Sequence, residues 1–202
     1  MTISILLAVY ASNSMGEDVT SQVAAMVAGG NDDVAVNNGS FGDPDSGATK
    51  YFLAWYTATG LNSGNPIGLA AVENTTVDLI PSPGYPAYYF NTAPQPSVAQ
   101  SANTPFQVKR AIYGSSNNGF DVTAICQAIL NQGGLIVDQG TTNFQLALNN
   151  ETFGGDPDYG NSKYFAMQYE VNGVTAYIGG AEGQTLSLGL IPAIAKAELA
   201  DA

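Results

Sequence analysis

An α+β fold, mostly β and built as two tandem repeats, is what this chain of 202 residues predicts. Three observations carry that expectation. A stretch reading NNGSFGDPDSGATKYFLAWY, Asn37 to Tyr56, returns as NNETFGGDPDYGNSKYFAMQY, Asn149 to Tyr169. Upstream of each copy the same order repeats: an apolar strand closing on tyrosine, an Asp-Val-Thr, an apolar stripe at helical spacing and a Gly-Gly stop. Between the copies lies a segment too rich in proline for helix or central strand. Each repeat is therefore a small antiparallel β-sheet or sandwich with one short helix. The expected boundaries are 1–80 for the first repeat, 81–107 for a Pro/Tyr-rich linker packed on the repeats, 108–191 for the second repeat and 192–202 for a short C-terminal helix.

Taken in order, Ile3 to Ala11 reads as a strand ending on Tyr10. It lacks the basic flank of a signal peptide, and no apolar run reaches the roughly 20 residues needed to span a bilayer. The expected location is cytoplasmic, or extracellular by a non-classical route. A polar loop, Ser12 to Glu17, leads to Asp18 or Thr20 as helix N-cap, with Val19, Val23, Met26 and Val27 as the stripe and Gly29-Gly30 as the stop. In the second repeat Tyr113 closes the strand. Asp121-Val122-Thr123 starts the helix, Val122, Cys126, Ile129 and Leu130 form its stripe, and Gly133-Gly134 ends it. Cys126 occupies a stripe position held by Val23 in the first copy, so it reads as a small buried hydrophobe, and one cysteine forms no intramolecular disulfide.

After the helix the copies differ. The first passes quickly through Asp33 to Val36, whereas the second has an insertion in which Leu135 to Asp138 and Phe144 to Leu148 make two strands or one bulged strand. The Asp-Pro-Asp turn then joins an incoming strand to an aromatic outgoing one, Tyr51 to Tyr56 or Tyr164 to Tyr169, with Gly47 or Gly160 at positive φ. Turns at Asn62 to Pro66 and at Asn172-Gly173 follow. Each copy ends in two short strands about Glu73-Asn74 or Glu182-Gly183, so that Val77 to Leu79 matches Leu186 to Leu188. The linker clusters Tyr85, Tyr88, Tyr89 and Phe90 among its prolines, which suits packing against the repeats or, exposed, stacking on a partner.

Composition excludes several functions. The formal net charge is −12 and the cations are Lys50, Lys109, Arg110, Lys163 and Lys196, so phosphate backbones and anionic lipids are repelled and neither nucleic acid nor membrane insertion is expected. The chain has no histidine, which removes the commonest general base, the usual activator of serine or cysteine nucleophiles, and the zinc and copper sites that need imidazole. A carboxylate pair acting as a hydrolase stays open as a minor alternative, with Glu73 and Glu182 or the Asp-Pro-Asp acids as candidates. Equivalent positions in separate repeats argue against such a pair.

The order Ala111-Ile112-Tyr113-Gly114, Asp121-Val122-Thr123, Gly133-Gly134-Leu135, Phe153-Gly154-Gly155-Asp156-Pro157, Gly160, Lys163, Tyr169, Gly173 and Glu182 resembles a domain found at the C-terminus of a mitochondrial DnaJ-type co-chaperone and as stand-alone proteins in fungi and bacteria. The resemblance covers both repeats and not the linker. It implies an interaction module and supplies no catalytic residue. The His-Pro-Asp signature of a J domain is absent from a chain without histidine.

The reading that remains is a non-enzymatic binding protein of lectin type, with a glycan or a protein surface as partner. Polar loops would supply the hydrogen bonds from Asn37, Asn38, Asn149 and Asn150, with Asp43, Asp45, Asp156 and Asp158 as acceptors or as ligands of a hard cation such as Ca2+. Trp55 and Tyr159 would stack on sugar rings. The alternative is a self-assembling structural subunit, whose partner is another copy of itself and whose β-rich repeats pair edge to edge.

Overall fold

The computed structural model describes residues 1–80, 91–92, 106–131, 135–138, 141–171 and 173–189. The first half runs β1 (Ile3–Ala11), β2 (Gly16–Asp18), α1 (Thr20–Val27), β3 (Asp33–Val36), α2 (Asn38–Phe41), β4 (Tyr51–Ala58), β5 (Ile67–Val72) and β6 (Thr75–Asp78). Its strands form an antiparallel sheet in the order β2-β1-β4-β5 and a small β3-β6 pair. The second half runs β7 (Asn91–Thr92), β8 (Phe106–Gly114), β9 (Gly119–Asp121), α3 (Thr123–Asn131), β10 (Leu135–Asp138), β11 (Thr141–Ala147), β12 (Tyr164–Val171), β13 (Val174–Ala181) and β14 (Thr185–Gly189). Its sheets are β13-β12-β8-β9-β7 and β10-β11-β14. Setting aside β7 and β10, the two halves have the same strand order in both sheets.

Alternation along the long strands assigns their faces. In the first half Ala8 and Tyr10 of β1 and Phe52, Ala54 and Tyr56 of β4 turn to one side. There they pack with Val19, Val23 and Val27 of the α1 segment and with Val34, Val36 and Val77 of the small sheet. In the second, Ala111 and Tyr113 of β8 and Phe165, Met167 and Tyr169 of β12 meet Val122, Cys126 and Leu130 and the strands β11 and β14 in the same way. Both halves bulge at matched places. β1 skips between Ile5 and Leu7, and β8 passes from Arg110 to Val108 opposite Gln168 and Tyr169. Leu6, the bulged residue of β1, is left exposed.

The opposite faces of the two large sheets pack back to back. Leu7, Val9, Ala11, Leu53, Trp55 and Ala70 of the first half close on Ile112 and Ala166 of the second, with Tyr164 and Tyr177 alongside. Two hydrogen bonds tie the sheets across this layer: Ala70 N–H to Ser115 C=O at 3.0 Å and Gly179 N–H to Ser12 C=O at 2.7 Å. Since Ser12 corresponds to Ser115 and Ala70 to Gly179, the bonds are related by an approximate two-fold axis. Tyr51 and Tyr164 sit near that axis, rings 6.2 Å apart. Close approach of the backbones requires glycine: a Cβ on Gly179 would lie 2.9 Å from Ala11 O, and one on Gly119 would lie 2.6 Å from Gly68 O.

Several local expectations need correction. Part of the polar loop is a strand, β2, and a one-turn helix, α2, precedes the Asp-Pro-Asp turn. Neither Asp18 nor Thr20 is the N-cap of α1. Val19 takes that place without a side-chain bond, while Asp18 Oδ1 accepts the Thr20 N–H at 2.8 Å and Thr20 Oγ1 accepts the Ala8 N–H at 2.9 Å. The Asp-Pro-Asp segment is a corner between sheets, because the strands before and after it, β3 and β4, belong to different sheets. Gly47 and Gly160 do have positive φ, 87° and 86°. The insertion makes two strands, β10 and β11. The Gly133-Gly134 stop, the Asn172 turn position, the aromatic linker cluster of Tyr85 to Phe90 and the tail helix of 192–202 lie outside the described residues. Of the linker's described residues, Asn91 and Thr92 pair in parallel with β9, and Phe106 and Gln107 open β8.

Candidate functional site

The lysine that opens each aromatic strand organises the corner around it. Lys50 is 2% exposed, with its Nζ 2.9 Å from Asp43 Oδ1 and 3.5 Å from Glu73 Oε2, and it donates to Ala48 C=O at 2.9 Å. Lys163, 5% exposed, repeats this with Asp156 Oδ2 at 3.1 Å, Glu182 Oε2 at 3.5 Å and Asn161 C=O at 2.9 Å. Backbone bonds set the acids in place, since the Glu73 N–H donates to Lys50 C=O at 2.9 Å and the Glu182 N–H to Lys163 C=O at 3.0 Å. Burial alone would push Lys163 down, but the hydrogen bond and charge of Asp156 together with Glu182 outweigh it and hold the ammonium above its ordinary pKa. A lysine kept protonated in this way is a structural cation and a poor nucleophile.

A ring of hydrogen bonds surrounds each lysine. Tyr10 Oη donates to Asn38 Oδ1 and Tyr113 Oη to Asn150 Oδ1, both at 2.8 Å. Burial first, then Glu73 for Tyr10 and Glu182 for Tyr113, raise both phenols well above their ordinary pKa, so they stay protonated donors. Asn37 Oδ1 accepts the Ser40 N–H at 3.0 Å as the cap of α2, and Asn149 Oδ1 accepts the Thr152 N–H at 2.7 Å. Asp45 Oδ2 accepts from Ser12 Oγ and Ser14 Oγ, each at 2.6 Å, and Asp158 accepts from Ser115 Oγ.

The structure therefore draws Asn37, Asn38, Asp43 and Asp45 together at one corner and Asn149, Asn150, Asp156 and Asp158 at the other, each with a polar atom bonded within its corner. The paired acids of each turn diverge, one to a lysine and the other to serine hydroxyls. A cation approaching Asp43 or Asp156 would meet an ammonium within ion-pair distance of the same carboxylate. Among the described residues no group of three or more acids or cysteines is arranged to hold a metal. Glu73 and Glu182 each pair with the lysine of their own half. Trp55 is 8% exposed in the layer between the halves, where the Arg110 guanidinium lies 4.2 Å from its ring centroid. Tyr159, 93% exposed, is open to solvent.

A different place is open to a ligand. Between the halves lies a cleft of about 190 Å3, with Thr75 of the first half on one wall and Ser116, Asn117, Asn161, Ser162 and Tyr164 of the second on the others. Thr75 Oγ1 donates to Val72 C=O at 2.6 Å. The side chains of Ser116, Asn117, Asn161 and Ser162 have no hydrogen-bond partner among the described residues. Sequence reading passed over this cluster because it assembles from two loops of the second half and a turn of the first. It also passed over Lys50 and Lys163, although two of the chain's five cations stand at matching places after the two Asp-Pro-Asp turns.

No family model, no curated protein and no solved structure matches the chain. Among the described residues no helix is long and apolar enough to cross a membrane.

Proposed function

We propose that the protein is a non-enzymatic binding protein for a neutral glycan, held in the cleft between its halves. The observation that carries this reading is the cleft's wall, where four side chains of Ser116, Asn117, Asn161 and Ser162 offer unspent donors and acceptors beside the half-buried ring of Tyr164. Such a mixture fits a polyhydroxylated ring, with hydroxyls meeting the amides and a sugar face meeting the aromatic. Among the described residues the cleft carries no cationic side chain, which disfavours a phosphorylated or sulfated ligand. The resemblance to the co-chaperone C-terminal domain points toward an interaction module as well.

The test is a glycan array with and without chelator, followed by calorimetry on the best ligand. Binding should survive chelation, because the internal ammonium groups already neutralise Asp43 and Asp156. Asn161→Ala combined with Ser162→Ala should weaken binding about tenfold, the effect of one or two lost hydrogen bonds, and leave melting unchanged. Absence of binding to any neutral glycan, together with rods or sheets in light scattering, would move the reading to the self-assembling subunit.

A further inference from the structure

We propose that the outer edge of β2 is a docking site for an extended basic peptide, which adds to the first half's sheet as a parallel strand with a lysine or arginine opposite Glu17. The site is distinct from the cleft. Hydrogen bonds flanking β2 fix which backbone groups are free: the Val19 N–H donates to Ala8 C=O and the Ser12 N–H to Met15 C=O. In an antiparallel pair the bonded positions alternate, so Tyr10↔Glu17 is a bonded pair, and the Gly16 C=O and the Asp18 N–H point away from β1. No described strand takes them.

The second half shows what such an edge accepts. Its counterpart strand, β9, has the same register on β8, and there Asn91 and Thr92 lie in parallel against Phe120 and Asp121. A single extended residue thus bridges the outward groups of Gly119 and Asp121, and the same slot on β2 is open among the described residues. Strand addition of this kind draws affinity from main-chain bonds and selectivity from the side chains beside them.

Charge identifies the occupant. Where β9 presents the apolar Phe120, β2 presents Glu17, whose Oε1 is buried and has no partner. Where Asp121 pairs with Arg110, Asp18 has Leu7 at the matching place and no described cation. Asp43 lies near enough to Glu17 to repel it, and Lys50 is engaged by Asp43 and Glu73. An incoming lysine or arginine would neutralise this acid-rich edge, whereas a second copy of β2 would set Glu17 against Glu17. A basic strand is therefore favoured over self-pairing.

The test uses the full chain and a fluorescein-labelled peptide, Thr-Val-Thr-Lys-Thr-Val-Thr, read by anisotropy and by hydrogen exchange. Saturable binding is expected, with exchange of the Asp18 amide slowed and that of Asp121 unchanged. Three changes should each weaken binding at least tenfold: lysine to glutamate in the peptide, N-methylation of its lysine amide, and Glu17→Phe in the protein, a residue the second half accommodates at Phe120. No binding, equal binding of the N-methylated peptide, or unaltered Asp18 exchange would overturn the proposal. The N-methyl control separates strand addition from general attraction of a cation to a protein of net charge −12.

Discussion

The two halves hold the same three polar devices: a lysine between an aspartate and a glutamate, a tyrosine bonded to the second asparagine of a pair, and a serine bonded to the second aspartate of the turn. They differ in what surrounds those devices. Glu17 stands where the second half has Phe120, Ser14 is bonded to Asp45 where the Asn117 side chain has no hydrogen-bond partner among the described residues, and Leu7 stands where Arg110 reaches Trp55. What both halves keep is what closes the corner. What differs lies on surfaces where each half meets something else: an edge, a cleft or the other half.

Removing the lysines should produce the largest effect and tests whether the corners are equivalent. Lys50→Met or Lys163→Met removes a buried ammonium and leaves two partly buried carboxylates without their cation. The expected loss is about 3 kcal/mol in urea unfolding, at the low end for a broken buried pair because Asp43 and Glu182 keep part of their hydration. Lys50→Met should cost more than Lys163→Met, because Glu17 adds a further negative charge near Asp43. Equal costs would show that Glu17 does not act on the first corner.

Next in size are the turn glycines, where the halves should behave alike. Gly47→Val and Gly160→Val force a β-branched residue to positive φ, and open space around both sites leaves the conformational penalty alone. A loss of about 1–2 kcal/mol is expected at each. Unchanged melting of both variants would contradict the φ assignments.

Glu17 should set the halves apart in their response to pH. Burial, followed by the charge of Asp43, raises its carboxyl above the ordinary value of 4.5. The folded state therefore holds this proton more tightly than the unfolded chain. The contribution to stability is fully present below the unfolded pKa and is lost as pH rises through the elevated folded one. Glu17→Gln should remove that slope and stabilise the protein at neutral pH by about 1 kcal/mol, because it takes away a partly buried charge and leaves a neutral amide in its place. Phe120→Glu should introduce a like slope in the second half. Parallel pH–stability curves for wild type and Glu17→Gln would show that the carboxylate is well solvated.

How much of this was legible depended on the range of the interaction involved. Gly47 and Gly160 were readable because a turn's sign of φ is decided by neighbouring residues, and the stripe from Val19 to Val27 was readable because helical spacing is local. At Asn37 and Asn149 the local sequence does not distinguish a ligand donor from a residue whose Oδ1 caps the turn that follows, and each Oδ1 accepts a backbone N–H there. β2 is three residues long, too short for a period to register. Trp55 invited a stacking role, and its burial depends on a surface supplied by the other half. The ion clusters were half visible: Glu73 and Glu182 stood out as matched acids, but their lysines became their partners only when the β5–β6 and β13–β14 turns were brought against β4 and β12.

The smallest expected effect tests the layer between the halves. Arg110→Leu places in the second half the residue that the first carries at Leu7. The change removes the stacking of the guanidinium on Trp55 and the ion pair with Asp121, and it returns an apolar side chain to a layer already lined by Leu7 and Leu53. Cation–π stacking at a half-exposed site is worth about 0.5–1 kcal/mol, and a partly exposed ion pair up to about 1 kcal/mol. The regained apolar burial offsets much of both, so the net loss should stay below about 1 kcal/mol at low salt. It should shrink further as salt screens the Asp121 pair. A loss of several kcal/mol, unaffected by salt, would mean that Arg110 orients the two sheets, and the back-to-back layer would then owe its geometry to this one contact more than to the Ser12–Gly179 and Ser115–Ala70 hydrogen bonds.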